Sequence, residues 1–145
     1  MVTWLAIVRS RPTLDRLGRW ILGHLDLTLT DFKILETVLH GGPITPSRLA
    51  TEIDLTRGSV TSAVDRLSAR GLVARERNSA DARSTLVSLT DAGVSAIEEA
   101  WRFHTAEIER VMQDVISPEE SAALVRSLGQ VRRAARKEYR RIQAS

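Results

Sequence analysis

The stretch "PSRLATEIDLTRGSVTSAVDRL", Pro46–Leu67, decides the fold. Its second half reads as a helix from about Arg57 to Ala69, with Val60, Val64 and Leu67 at helical spacing and Gly71 as a stop. Thr56 is placed to cap it. The face away from the apolar residues carries Gly58, Ser59, Thr61, Ser62, Asp65 and Arg66. A surface helix under selection for stability alone would use Ala, Glu, Lys or Gln there. The first half of the stretch is a second, shorter helix from Pro46 to about Ile53, capped by Thr45, with Leu49, Ala50 and Ile53 turned inward. Ala50 is small where two helices must cross closely, and Leu55 sits in the turn. Asp54 stands where many such turns carry glycine, and Asp also tolerates the left-handed conformation. Two short helices joined by a tight turn make a helix-turn-helix.

Outward from that motif the period changes. "LVARER" (72–77) and "STLVSLT" (84–90) alternate apolar and polar residues, which predicts two strands around the polar turn "NSADAR" (78–83). Before the motif, Thr30 is expected to cap a helix from Asp31 to about Leu39, and "HGGPIT" (40–45) reads as a turn. A helix over Thr3 to His24 carries Leu14, Leu17 and Ile21, with Pro12 expected to kink it or start a new helix. After the hairpin, Thr90 caps a long helix from Asp91 to about Ile116, and Ser117-Pro118 opens a last one to about Ile142. The final helix carries an apolar stripe of Leu124, Leu128, Val131, Ala135, Tyr139 and Ile142. The expected fold class is mainly α (α+β), a winged helix-turn-helix domain with long N- and C-terminal helices. The expected division is a dimerisation helix at 1–29, the DNA-binding domain at 30–90 and dimerisation helices at 91–145. Helices of such length exceed what a small domain can cover, so they pack within one chain or, as favoured here, build a homodimer.

Composition narrows the function classes. The chain has 145 residues, 43% hydrophobic and 27% charged, enough for a core and too apolar for disorder. Cysteine is absent, which removes disulfides, thiolate metal sites and thiol-based sensing. No apolar run approaches the roughly 18 residues of a membrane span, and the N-terminus lacks the pattern of a secretory signal, so a cytoplasmic protein with no membrane partner is expected. His24, His40 and His104 are far apart, no glycine-rich phosphate loop occurs, and adjacent pairs such as Glu98-Glu99 diverge on a helix. No enzyme, no metal and no cofactor is expected. The net charge is +3. Its distribution is uneven, and only Lys33 and Lys137 are lysines. One basic zone holds Arg57, Arg66, Arg70, Arg75, Arg77 and Arg83. Another holds Arg126, Arg132, Arg133, Arg136, Lys137, Arg140 and Arg141. The second reads equally as a solvated helix face.

The chain resembles the MarR family of winged-helix transcriptional regulators over nearly its whole length. The resemblance rests on "LTLTDFKIL" (27–35), on "RLATEIDLTRGSVTSAVDRLSARGLVARE" (48–76), and on "DARSTLVSLTDAG" (81–93), the most specific of the three. Where the family pattern often has a second wing arginine this chain has Ala82, which removes one charge. The resemblance implies a homodimer whose termini build the interface, double-stranded DNA as partner through a pseudo-palindromic operator, and in many members release by a small-molecule effector. It also assigns Arg83 to the minor groove, oriented by Asp81.

Independent of family, a recognition helix must approach base edges in a groove about 12 Å wide. Thr56, Gly58, Ser59, Thr61 and Ser62 permit that approach, and Arg57 and Arg66 can reach bases or phosphates. Arg75 and Arg77 share a strand face and are expected at phosphates, with a strand-face salt bridge the other reading for Arg75. Asn78 and Ser79 are expected at the backbone from the wing turn. Trp20, His24, Trp101 and His104 either line an effector cleft or serve the core and the dimer interface, as does Trp4. A repressor is the expected role. The alternatives are an activator, a ligand-independent regulator, or a winged-helix module that binds protein.

Overall fold

The computed structural model describes residues 2–78, 81 and 84–143. In chain order the elements are α1 (Val2–Gly23), α2 (Leu29–Gly41), α3 (Pro46–Glu52), α4 (Arg57–Ala69), β1 (Val73–Arg77), β2 (Thr85–Leu89), α5 (Asp91–Met112) and α6 (Pro118–Gln143). The expected mainly helical winged helix-turn-helix is the observed architecture. The chain divides into two compact units, Met1–Ala106 and Glu107–Ser145, with the boundary inside α5.

Hydroxyl caps set the helix starts. Thr45 Oγ1 accepts from Arg48 N–H at 3.3 Å, and Thr56 Oγ1 accepts from Ser59 N–H at 3.2 Å. These side chains satisfy amides that the first turn leaves unpaired. At α2 the cap is Thr28, not the expected Thr30. Thr28 Oγ1 accepts from Asp31 N–H (3.1 Å) and Asp31 Oδ2 accepts from Thr28 N–H (2.9 Å), a reciprocal box that Thr30 cannot make. At Pro12 no new helix begins. α1 runs through it as one assigned helix, although proline withholds one amide from the ladder.

The first unit is built around the helix-turn-helix. Val60, Val64 and Leu67 are fully buried, and Ala63 nearly so, against Leu49 and Ala50 of α3 and Ile34 and Leu35 of α2. The α3–α4 turn takes the left-handed conformation at Asp54 (φ 57°), as the sequence suggested, and Leu55 N–H closes it on Ala50 O at 3.0 Å. β1 and β2 pair antiparallel with Val73 opposite Leu89 and Arg77 opposite Thr85. Ile44, inside the stretch read as a turn, adds an antiparallel bridge to Val87, each residue donating to the other's carbonyl (3.1 and 2.9 Å). That bridge pins the hairpin to the end of α2.

The start of α5 explains its Leu-Thr-x-x-Gly signature. Thr90 Oγ1 donates to Gly71 O (2.6 Å) and accepts from Gly93 N–H (3.0 Å), while Thr90 N–H donates to Leu72 O (3.2 Å). A Cβ on Gly93 would lie 1.9 Å from Leu72 O, so only glycine permits this approach. The hairpin is thereby fixed at its base on both sides.

The second unit contains the end of α5 and all of α6. α5 ends at Met112, short of the expected Ile116, where Val115 and Ile116 N–H both turn back onto Met112 O (3.0 and 3.1 Å). Ser117 and Glu120 then form a capping box, with Ser117 N–H donating to Glu120 Oε2 at 2.9 Å. Those bonds, the backbone one foremost, hold the Glu120 carboxyl below its usual range. No residue of α6 is buried; Leu124, Leu128, Val131, Tyr139 and Ile142 are all exposed.

Candidate nucleic-acid interface

α4 separates its faces cleanly. Thr56, Arg57, Gly58, Ser59, Thr61 and Ser62 are all exposed, opposite the buried Val60, Ala63 and Val64. A Cβ on Gly58 would meet nothing within 4 Å, so the packing of this chain does not require glycine there. The small residue keeps the outer surface low. Some of the hydroxyls are held in place. Thr56 and Ser59 share a hydrogen bond at 2.8 Å, and Thr61 Oγ1 donates to Arg57 O at 2.9 Å. Arg57 sits in the first turn, exposed, where the helix N-terminus adds partial positive charge.

Three of the six arginines of the first basic zone, Arg66, Arg70 and Arg75, are tied to aspartates of this chain. Arg66 Nη2 donates to Asp31 Oδ1 at 2.6 Å, and Asp31 is buried. Asp31 thus uses one oxygen to cap α2 and the other to anchor α4. Arg70 donates to Asp26 O at 2.7 Å and pairs with its carboxylate at 3.4 Å. Arg75 pairs with Asp65 of α4, the salt-bridge reading of that residue, so it braces the wing against the recognition helix. Together these pairs fix α4 to the loop before α2 and to β1. The sequence gives no direct sign of them, because their members lie 10 to 44 residues apart.

In the wing, Arg77 is exposed at the end of β1. Asn78 Nδ2 donates to Ser84 Oγ (2.8 Å), and Ser84 N–H donates to Asp81 O (2.9 Å), so Asn78 and Asp81 shape the turn. Ser79 and Arg83, and with Arg83 its expected orientation by Asp81, lie outside the described residues.

The proposed effector residues of the first unit fall into two aromatic groups. Trp20 meets His24 edge-on at 4.6 Å, and His24 Nδ1–H donates to Trp20 O at 2.8 Å. Phe32 stacks on Trp101 (5.8 Å) and on His104 (5.2 Å). Sequence reading passed over three partners, Phe32, Phe103 and His40. His24 lies 6.2 Å from Phe103, and His40 meets Trp101 edge-on at 6.4 Å. A cavity of about 300 Å³ opens beside Leu39, His40, Glu98, Trp101 and Arg102. Burial lowers the His104 pKa from its ordinary 6.5, opposed by the charge of Glu36. Among the described residues no group of three His, Asp or Glu could hold a metal, and no helix is long and apolar enough to cross a membrane.

A helix-turn-helix with a bare hydroxyl face and a hairpin pinned beside it defines a winged-helix protein. Comparison with known proteins makes this specific. Residues 25–84 match a model of the MarR family. The multiple antibiotic resistance protein MarR of Salmonella typhimurium is 32% identical over 110 residues, 76% of each chain. The transcriptional regulator MhqR of Bacillus subtilis is 31% identical over 106 residues, 73% of this chain and 72% of that one. A crystal structure of a mutant MarR from E. coli complexed with operator DNA superposes with a TM-score of 0.80 at 28% identity, covering 90% of this chain and 94% of that one. The chain belongs to the MarR family; it is a transcriptional regulator and not an enzyme.

Proposed function

We propose that the protein is a homodimeric repressor that binds a pseudo-palindromic operator and is released by a small, aromatic effector. The observation that carries DNA binding is the outer face of α4: exposed Thr56, Arg57, Gly58, Ser59, Thr61 and Ser62 on a helix whose other face is closed by core. Gly58 and the hydroxyls let the backbone approach base edges in the major groove. Arg57, Arg77, Asn78, Ser79 and Arg83 supply phosphate and minor-groove contacts, with Arg83 oriented by Asp81. Arg66 and Arg75 serve the site from behind, holding α4 and the wing in register. The E. coli MarR structure with operator DNA supports the same assignment by likeness of fold.

Dimerisation is supported by the exposed apolar residues of α1 (Trp4, Leu5, Val8) and, separately, of α6 (Leu128, Val131, Tyr139). A monomer would leave these faces in water at a cost of about 25 cal/mol per Å². Effector binding is supported by Trp20, His24, Trp101 and His104, ringed by Phe32 and Phe103 in the first unit. An effector acts only if it binds one dimer geometry better than the other. Action on the genome places the protein in the cytoplasm.

Selection of bound sequences from random duplexes tests the reading. The expected product is a palindrome with half-sites about one helical turn apart, 10 to 10.5 base pairs. Recovery of unrelated sequences would refute sequence-specific binding, and a single half-site would refute the dimer.

A further inference from the structure

The second basic zone takes no part in the site above. On α6, at 3.6 residues per turn, Arg126, Arg133, Arg136, Lys137 and Arg140 fall within an arc of roughly 100°. The apolar stripe of Leu124, Leu128, Val131 and Ile142 lies on the opposite side of the helix. The arc holds no acidic residue from Arg126 onward, and Gly129 lies within it. All five cations are exposed. Among the described residues none of them makes an ion pair; Arg141, outside the arc, pairs with Glu138. From Arg126 to Arg140 the face runs about 21 Å at 1.5 Å per residue.

A helix face built for solubility mixes charge signs and takes i,i+4 pairs. Five unpaired cations on one side repel each other, and that repulsion is relieved by a polyanion with closely spaced charges. Duplex DNA carries a phosphate about every 1.7 Å of axis, and guanidinium and ammonium groups both bind phosphate. A dimer formed through the apolar stripe leaves the basic arc outward.

We propose that this face of α6 is a second, sequence-independent DNA-binding surface that contacts phosphates only. It rests on the reading of the protein as a DNA-binding regulator and adds a site on a different structural unit from α4. Its contacts raise the affinity for any duplex and the rate of encounter with it, without choosing sequence.

The test uses full-length protein, a 30-base-pair duplex of random sequence, and salt titration. Substituting Arg133→Gln, Arg136→Gln, Lys137→Gln and Arg140→Gln together removes four cations at exposed positions. A control with Arg133→Lys, Arg136→Lys and Arg140→Lys keeps the charge. Every phosphate that is no longer neutralised lowers the slope of log K against log salt by about 0.9. The glutamine variant is expected to lose at least about 2 units of slope and at least tenfold in affinity at low salt. The lysine control should stay near wild type. Introducing Ser62→Glu, which disables the recognition helix, should leave this difference in place, so failure of the operator reading and failure of the α6 proposal are told apart. An unchanged slope in the glutamine variant, with its helix content intact by circular dichroism, would overturn the proposal. So would tighter binding of the wild type to phosphatidylserine–phosphatidylcholine vesicles than to the duplex.

Discussion

The two basic zones differ in what their arginines do. In the winged helix, Arg66, Arg70 and Arg75 are each tied to an aspartate. On α6 the cations of the outer arc have no such partners among the described residues. Sequence counts make the zones look alike, yet the first spends much of its charge on its own architecture. The outer face of α4 itself exposes a small polar surface with Arg57 at its edge. The arginines that hold α4 in place are thus distinct from Arg57, which we propose faces the nucleic acid.

Substitutions on the two sides of that division should behave differently. Asp31→Ala should be the most damaging to the fold. It deletes the α2 capping box and leaves Arg66 without its partner, for a loss of about 2 to 4 kcal/mol in urea unfolding. If stability changes by less than about 0.5 kcal/mol, Asp31 is not the joint between α2 and α4. Arg57→Gln should do the reverse. Stability should hold within about 0.5 kcal/mol, while the salt slope for the selected operator falls by about 1. Arg75→Gln should give a smaller slope change than Arg57→Gln, because its guanidinium already serves Asp65; equal slopes would place both residues on phosphates.

The smallest effect expected is one of pH. His104 has its pKa lowered by burial, so the unfolded chain takes up a proton more readily than the folded one below the ordinary value of 6.5. Stability is then full above that value and declines as the pH falls through it toward the lowered pKa. His104→Phe should flatten the decline between pH 6.5 and 5; a decline that persists unchanged would move its origin to another group.

Much of this was legible in the sequence for a physical reason: the decisive signals are local. Thr45, Thr56, Thr90 and Ser117 mark helix starts through bonds to residues three positions on. Asp54 marks its turn through its own backbone, and the switch of period after Gly71 marks the hairpin. The misreadings occur where local signals compete. Thr28 and Thr30 both suit a cap by residue type, and only the reciprocal bond from Asp31 decides between them. Ile44 was hidden in a turn-like composition, because a single bridge to Val87 leaves no period. At the site, the exposed face of α4 followed from spacing alone. The roles of Arg66, Arg70 and Arg75 did not, since their aspartates come close only in the folded chain.

The low, hydroxyl-bearing face of α4 is the surface we propose reads DNA. Ser62 is exposed on that face and supports nothing in the core. The decisive measurement is the affinity of Ser62→Glu for the selected operator, taken beside its thermal unfolding. A carboxylate among phosphates and base edges costs several kcal/mol. Binding should fall by at least about 100-fold with the unfolding midpoint unchanged; retained affinity in a folded variant would mean that the DNA lies against some other face.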